Sequence, residues 1–323
     1  MSVSVALCTH NGERFVAEQV RSILAQSRGA DELIVSDDAS ADGTLRVVAE
    51  TMTDASPELR VLRNDPPLGV TKNFEQAVGA SRGDYIALSD QDDVWRPDKL
   101  ELTAGLLDAD PAALLVHTDA RLVDEAGVPL GGTLFGRLEV GEAELGLIES
   151  GRGIDAVLRR NLATGATVVF RRELLDAALP FPPLWVHDEW LAAIAAALGG
   201  LRVLREPTID YRLHGANQIG VVEPTLRRKI GRVLGEPRGT RNERLGAVFT
   251  TLADRLDALG QRVPAQVRAA ARAKAAFETA RAQLPRARPA RLPGVARLAR
   301  GGGYGRFASQ GRLDIVRDLL QPA

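Results

Sequence analysis

The chain has 323 residues, 45% of them hydrophobic, with 41 Lys+Arg against 42 Asp+Glu. That length leaves room for about two domains of ordinary size. One cysteine, Cys8, excludes an internal disulfide and points to a reducing compartment; with only four scattered histidines it also excludes a Cys/His metal cluster. The near-zero net charge hides a split: residues 1–223 hold 20 Lys+Arg and 35 Asp+Glu, whereas residues 224–323 hold 21 and 7. Such asymmetry assigns different tasks to the two parts.

The chain opens directly on an apolar run, Val3–Cys8, which reads as a strand and leaves no place for a signal peptide. The turn Thr9-His10-Asn11-Gly12 follows, and Phe15, Val20, Ile23 and Leu24 then recur at helical spacing. Glu32–Val35 is a second strand, ending in the turn-rich Ser36-Asp37-Asp38-Ala39-Ser40-Ala41-Asp42-Gly43-Thr44. Leu59–Leu62 is a third strand, Phe74–Ala80 a helix, and Tyr85–Leu88 a fourth strand running into Asp90-Gln91-Asp92-Asp93. This βα alternation predicts a mostly parallel sheet. Ligands of such sheets bind at the carboxyl ends of the strands. The turns carrying Thr9/His10/Asn11, Asp37/Asp38 and Asp90/Asp92/Asp93 therefore converge. Further on come a Pro-rich segment at 182–186, an apolar helix Leu191–Leu198 and a strand Thr208–Leu213.

From Pro224 the strand signals stop. Leu226, Ile230, Val233 and Leu234 share a helical face, Leu245 to Leu259 form a second helix, Ala265–Leu284 a third and Leu313–Leu320 a last one. Pro285–Pro293 reads as a breaker and Gly301-Gly302-Gly303 as a hinge. Basic amphipathic helices of this kind either lie on an anionic membrane or pack as a bundle, on the first domain or on a second copy of the chain. Nothing accompanies the arginines that would indicate nucleic acid. The longest weakly polar stretch, residues 190–201, is too short to cross a bilayer. The expected location is cytoplasmic, with peripheral contact to the inner face of the plasma membrane where the helices dock.

Three carboxylates in four residues at a strand end repel one another. They form either a solvated acidic turn or a seat for a hard divalent cation shared with phosphate oxygens. A glycine-rich dinucleotide fingerprint, a Walker loop and a Gly-x-Ser-x-Gly elbow are all missing from the sequence. Dehydrogenase, P-loop and α/β-hydrolase chemistries are therefore disfavoured.

Taken together, Val3–Gly12, Ser36–Thr44, Ser89-Asp90-Gln91-Asp92-Asp93-Val94-Trp95-Arg96-Pro97-Asp98-Lys99-Leu100, Thr164–Thr167, His187-Asp188-Glu189-Trp190 and Tyr211–Gln218 resemble the blocks of inverting family 2 glycosyltransferases. Within that family they resemble the rhamnosyltransferases of bacterial surface polysaccharides. The resemblance covers about residues 3–220 and implies a GT-A fold at residues 1–222, Rossmann-like, with a basic helical extension at 223–323. It implies a nucleotide-sugar donor (dTDP- or UDP-linked), a saccharide or lipid-linked acceptor and a Mg2+ or Mn2+ ion. Thr9, His10, Asn11, Glu13 and Asp38 would line the nucleotide side, with Asp38 accepting from the base's imide. Asp92 would contact the cation, Asp90 the ribose or a metal-bound water, and His214 the metal or diphosphate. Arg212 would pair with diphosphate oxygens.

Asp188 would be the base that takes the acceptor proton, with Glu189 as the alternative; as a residue at the start of a helix, Asp188 also reads as a cap. Glu189 departs from the aromatic residue common in the subgroup. Trp95, Trp185 and Trp190, with Thr164 and Gly165, would wall the sugar and acceptor, although the tryptophans read equally well as core. Two rivals stand beside this reading. A sugar-1-phosphate nucleotidyltransferase would need a basic Gly-rich loop after the first strand, which Thr9–Arg14 does not supply. A non-catalytic nucleotide-sugar-binding protein would have no use for Asp92 and Asp188 together.

Overall fold

The computed structural model describes residues 1–52, 57–215 and 238–322. The chain forms two compact units, one of Met1–Gly153 with Leu162–Val221 and one of Ile154–Asn161 with Val222–Ala323. The helical face expected at Leu226–Leu234, and Ala216–Gln218 of the last motif, lie outside the described residues.

The first unit is built on a nine-stranded sheet. Its first four strands are β1 (Val3–Thr9), β2 (Glu32–Asp37), β3 (Glu58–Arg63) and β4 (Tyr85–Asp90), in the order β3-β2-β1-β4 and all parallel. All seven residues of β1 and all six of β2 are buried, as expected of strands covered on both faces. Helices α1 (Val16–Leu24), α2 (Thr44–Thr51) and α3 (Val70–Ala80) connect them. Each buries one stripe: Val16, Val20 and Ile23 in α1, and Phe74, Ala77 and Val78 in α3.

Beyond β4 the sheet is mixed. After β5 (Val94–Trp95) and α4 (Lys99–Ala109) come β6 (Leu115–Val123) and β7 (Pro129–Thr133). Short helices α5 (Leu134–Arg137) and α6 (Glu142–Glu149) follow, then α7 (Gly153–Val157), which from Ile154 on belongs to the second unit, and then β8 (Val169–Arg171), α8 (Leu175–Ala178), α9 (His187–Ala197) and β9 (Leu201–Arg212). β8 runs antiparallel to both β4 and β6, while β9 lies parallel to β6 and antiparallel to β5. This places the ends of β4 and β9 side by side, because Val94 and Trp95 pair with Asp210 and Ile209. The acidic turn and the His214 loop are thereby brought together.

The second unit is helical. α10 (Arg238–Ala258) and α11 (Ala265–Ala282) pack lengthwise and are followed by α12 (Leu292–Arg300), α13 (Gly303–Phe307) and α14 (Leu313–Leu320). Helix α12 thus begins at the end of the expected breaker, Pro285–Pro293, and runs up to the expected hinge, Gly301–Gly303. Pro293 sits in the first turn of α12, where its missing N–H costs nothing, and the glycines begin only where the helix ends. Among the described residues no helix is long and apolar enough to cross a membrane.

Candidate active site

The parallel register brings the ends of β1, β2 and β4 to one edge: Thr9 lies opposite Asp37, and Cys8 opposite Asp90. The three turns are then tied to one another. The Asp38 amide donates to Thr9 O at 2.8 Å, and His10 Nδ1 lies 2.6 Å from Asp38 O. Asn11, held at φ 49°, donates its amide to Ser40 Oγ (2.8 Å), and its Oδ1 accepts from Ala41 N (2.9 Å). Gln91 grips the His10 main chain with both ends of its amide: Oε1 accepts from His10 N (2.8 Å) and Nε2 donates to His10 O (3.0 Å). A Cβ on Gly12 would collide with that Gln91 side chain and displace it from His10.

Asp38 is 6% exposed. Its Oδ1 accepts from Leu68 N (2.6 Å) and Asn64 Nδ2 (3.1 Å), and Oδ2 from Gly69 N (2.9 Å). A carboxylate offers about four acceptor positions, so room for one more donor remains. Gly69, at φ 81°, lets the chain present its amide there just before α3 begins.

The acidic turn is short of counter-charge. Asp92 Oδ2 lies 2.7 Å from His214 Nε2, and the His214 ring rests on Phe15 with centroids 5.1 Å apart. Asp93 is buried; its Oδ1 accepts from Arg212 N at 3.0 Å, while its Oδ2 has no hydrogen-bond partner. Loss of solvent, then the neighbouring Asp92 and Asp188 carboxylates, push Asp90 up to about 7. Burial, then Asp92 and Asp90, raises Asp93 well above the ordinary carboxylate range. The buried cation facing them is Lys99, whose ammonium donates to Ala166 O (2.6 Å) and sits 3.7 Å above the Trp95 ring. Burial pulls Lys99 down to about 7, against the opposing pull of Asp93 and Asp90.

Asp188 stands in the first turn of α9 and is 5% exposed. Its Oδ2 accepts from Gly165 N at 2.8 Å and its Oδ1 from Glu189 N at 2.7 Å. A Cβ on Gly165 would lie 2.8 Å from His187 Nε2, so only glycine allows the backbone this near. Thr164, half-buried, closes the same turn through its carbonyl, which accepts from Thr167 N and Oγ1. Glu189 is half-buried next to Asp188.

Several sequence expectations meet a physical obstacle. Thr9 is 2% exposed and its hydroxyl is given to Asp37 Oδ1 (2.8 Å), so its side chain braces the turn. Glu13 is engaged with Gly43 N (3.0 Å) and Arg46 Nη2 (2.8 Å), outside the acidic edge. Arg212 is buried, and its guanidinium donates to Asp92 O (2.8 Å), Glu125 O (2.7 Å) and Glu18 Oε2 (2.5 Å). It anchors the acidic turn from behind instead of reaching for diphosphate. Trp95 and Trp190 are core residues: Trp95 lies under Lys99, and wholly buried Trp190 donates Nε1 to Ala178 O (2.7 Å). Trp185 is buried too, its ring 5.4 Å from that of Trp190.

Sequence reasoning missed Lys99 and His187. His187 is buried, stacked on Phe74 at 3.8 Å, and neither ring nitrogen has a hydrogen-bond partner; burial lowers its pKa. The one available signal was position, since both fall inside motif blocks.

Among the described residues no three His, Cys, Asp or Glu side chains form a ready cation cage. The donor set nevertheless fits a hard divalent ion. One carboxylate–imidazole pair stands at contact distance in a region with surplus negative charge. Mg2+-type ions commonly use one or two carboxylates and take their remaining ligands from phosphate and water.

A sheet of this order, with an acidic turn at the end of its fourth strand, is the framework of a glycosyltransferase with the GT-A fold. Residues 4–139 match the family model for glycosyl transferase family 2. An uncharacterized glycosyltransferase of Nostoc is 26% identical over 222 residues, 67% of this chain and 66% of that protein. The dTDP-rhamnosyl transferase RfbG of Shigella flexneri is 26% identical over 227 residues, 66% of this chain and 73% of its own. The chain spans 59% of the length of a Mycobacterium tuberculosis relative, an uncharacterized protein. Among solved structures, S. aureus TarS 1-349 with UDP-GlcNAc superposes with a TM-score of 0.56 at 19% identity, covering 95% of this chain and 93% of that one. The mannosyltransferase PcManGT of Pyrobaculum calidifontis, with GDP-Man and Mn2+, superposes at 0.53 and 20% identity, covering 98% and 85%. At such identities the likeness shows the shared fold.

Proposed function

We propose that this protein is a metal-dependent, inverting glycosyltransferase of cell-surface polysaccharide synthesis. It moves a sugar from a nucleoside-diphosphate donor to a hydroxyl of a saccharide or lipid-linked acceptor. The subgroup motifs and the Shigella relative favour L-rhamnose from dTDP-L-rhamnose. The observation that carries the reading is the carboxylate surplus around the acidic turn: Asp90 is crowded by Asp92 and by Asp188 of α9, the buried Lys99 faces Asp90 and Asp93, and Asp93 Oδ2 has no hydrogen-bond partner.

Asp92 and His214 would hold a Mg2+ or Mn2+ ion, with Asp90 beside them. When bound, that ion stabilises the charge arising on the departing diphosphate. His10 and Asn11 line the nucleotide side, and Asp38 offers its remaining acceptor position to the base. Asp188, oriented by the Gly165 amide, takes the proton of the acceptor hydroxyl. The acceptor oxygen bonds to the anomeric carbon from the face opposite the leaving group. The carbon–phosphate-oxygen bond breaks with its electron pair going to the diphosphate, so configuration inverts. Lys99 keeps the acidic turn and the Gly165 turn at fixed spacing through Ala166 O.

The test is Asp188→Asn. The amide keeps the shape and its oxygen can still accept from Gly165 N, so nucleoside-diphosphate affinity should hold while transfer falls by about two to four orders of magnitude. Glu189→Gln should cost much less. Near-normal transfer in both variants would refute the mechanism, and collapse in Glu189→Gln alone would move the base by one residue.

A further inference from the structure

Helix α14 is inside out. Its acids Asp314 and Asp318, one turn apart, are wholly buried, and Gln321 follows them inward. Asp318 Oδ2 accepts from Arg281 Nε (2.7 Å) and from the Tyr304 hydroxyl (2.7 Å), and Oδ1 from Arg281 Nη2 (3.1 Å). Buried Arg291 donates Nη1 to the carbonyls of Asp318 (3.1 Å) and Gln321 (2.7 Å), capping the end of the helix. With its polar face locked inward, α14 turns its apolar face out: Leu313 is 64% exposed, Val316 45% and Leu320 44%. Positions i, i+3 and i+7 share one side of a helix. Leu292, at the start of α12, is 57% exposed as well, and α12 packs against α14. A helix facing water does the reverse.

The segment that carries this stripe exposes charge of one sign. From Thr279 to Pro322 the only acidic residues are Asp314 and Asp318, both buried, while Arg286, Arg288, Arg297, Arg300, Arg306 and Arg312 are exposed. An apolar stripe on a segment whose exposed charges are all cationic matches an anionic bilayer surface, where leucines enter the acyl boundary and arginines meet headgroups. The same face of a second copy fits less well, because in a symmetric contact its arginines would meet these with like charge.

We propose that the α12–α14 face, with Leu313, Val316 and Leu320 at its centre, docks the protein on an anionic lipid bilayer. The inference rests on the reading of a lipid-linked acceptor, to which docking would bring the enzyme, but it is tested without transfer. The full chain should float with vesicles containing phosphatidylglycerol about tenfold better than with phosphatidylcholine vesicles. Raising salt to about 0.5 M should remove most of that preference. Leu313→Ser/Val316→Ser/Leu320→Ser should lose flotation while keeping its thermal midpoint and its transfer to a soluble acceptor. Arg297→Gln/Arg300→Gln/Arg312→Gln should lose the anionic preference, and it decides the matter should the serine variant unfold.

Equal recovery with both vesicles, or undiminished flotation of the serine variant, would overturn the proposal. So would a wild-type dimer that the serine variant converts to monomer without vesicles, which would make the stripe a contact between copies. Asp188→Asn should float like wild type, so failure of the catalytic reading and failure of docking leave different signatures.

Discussion

In the helical unit, Lys274, Glu278, Arg281 and Asp318 are buried together and answer one another. Glu278 accepts from Lys274 Nζ (2.6 Å) and Arg281 Nη1 (3.0 Å), and Lys274 also meets Phe307 O (2.7 Å). Around the acidic turn of the sheet unit, Asp90, Asp92, Asp93 and, from α9, Asp188 lie near one another with Lys99 as the buried cation among them. A closed network holds its helices in one arrangement and has no need of a ligand. An open one keeps charge poorly compensated, which a domain retains only where something else arrives to compensate it. Buried charge alone therefore does not mark a functional site.

The comparison breaks most sharply at Arg281. Arg281→Met would leave Glu278 and Asp318 buried without their shared guanidinium, and stability should fall by about 3–5 kcal/mol. Nucleoside-diphosphate affinity should stay unchanged at temperatures where the variant is folded. Chemical denaturation and calorimetric titration together check this, and a loss of affinity in folded protein would mean the network is not merely structural.

Asp92→Ala tests the open side. Metal-dependent nucleotide binding should vanish and transfer should fall by about a hundredfold or more, while the protein stays folded. Titration of a nucleoside diphosphate with and without Mn2+ is the measurement, and an unchanged metal effect in the variant would sink the assignment.

The smallest effect concerns His117, buried in β6 with both ring nitrogens unpartnered. Burial pulls it from 6.5 down to about 4. The folded state then holds the imidazole neutral while the unfolded chain protonates below 6.5. Stability is therefore intact above that value and is lost as pH falls toward 4, by about 1 kcal/mol at pH 5.5. His117→Leu should flatten this part of the curve. Denaturant melts at pH 7 and 5.5 for both proteins check it; an equal drop in both would remove His117 as the cause.

The strands and the convergence of their turns were legible because a parallel sheet needs continuous apolar runs, and β1, β2 and β4 supply them. Direction and partnership were not. Arg212 looked available for a phosphate because its neighbours in sequence belong to the site, but its guanidinium is consumed by Glu18, Glu125 and Asp92, residues 87 to 194 positions away. Trp95 and Trp190 sit beside motif residues in sequence and under them in space. Lys99 escaped notice because a lysine at the start of an amphipathic helix usually faces water, and only the fold reveals the carboxylates above it. Helix α12 was hidden by Pro293, read as a breaker where it stands at a helix start.

The grip of Gln91 on His10 has a consequence for how still the acidic turn can be. The β1–β4 ladder ends at Cys8 and Asp90, and beyond it the two chains would ordinarily fray. Gln91 offers a side-chain amide with the same donor and acceptor as a peptide group, and His10 takes both as if the strand had continued. The sheet thus gains one rung made from a side chain, while the backbone beneath it is already free to bend into the turn. Slippage by one residue would shift the carboxylates by about 3.3 Å along the strand and break both bonds at once. The rung therefore acts as a splint, letting a curved loop inherit the stiffness of the straight strand that carries it.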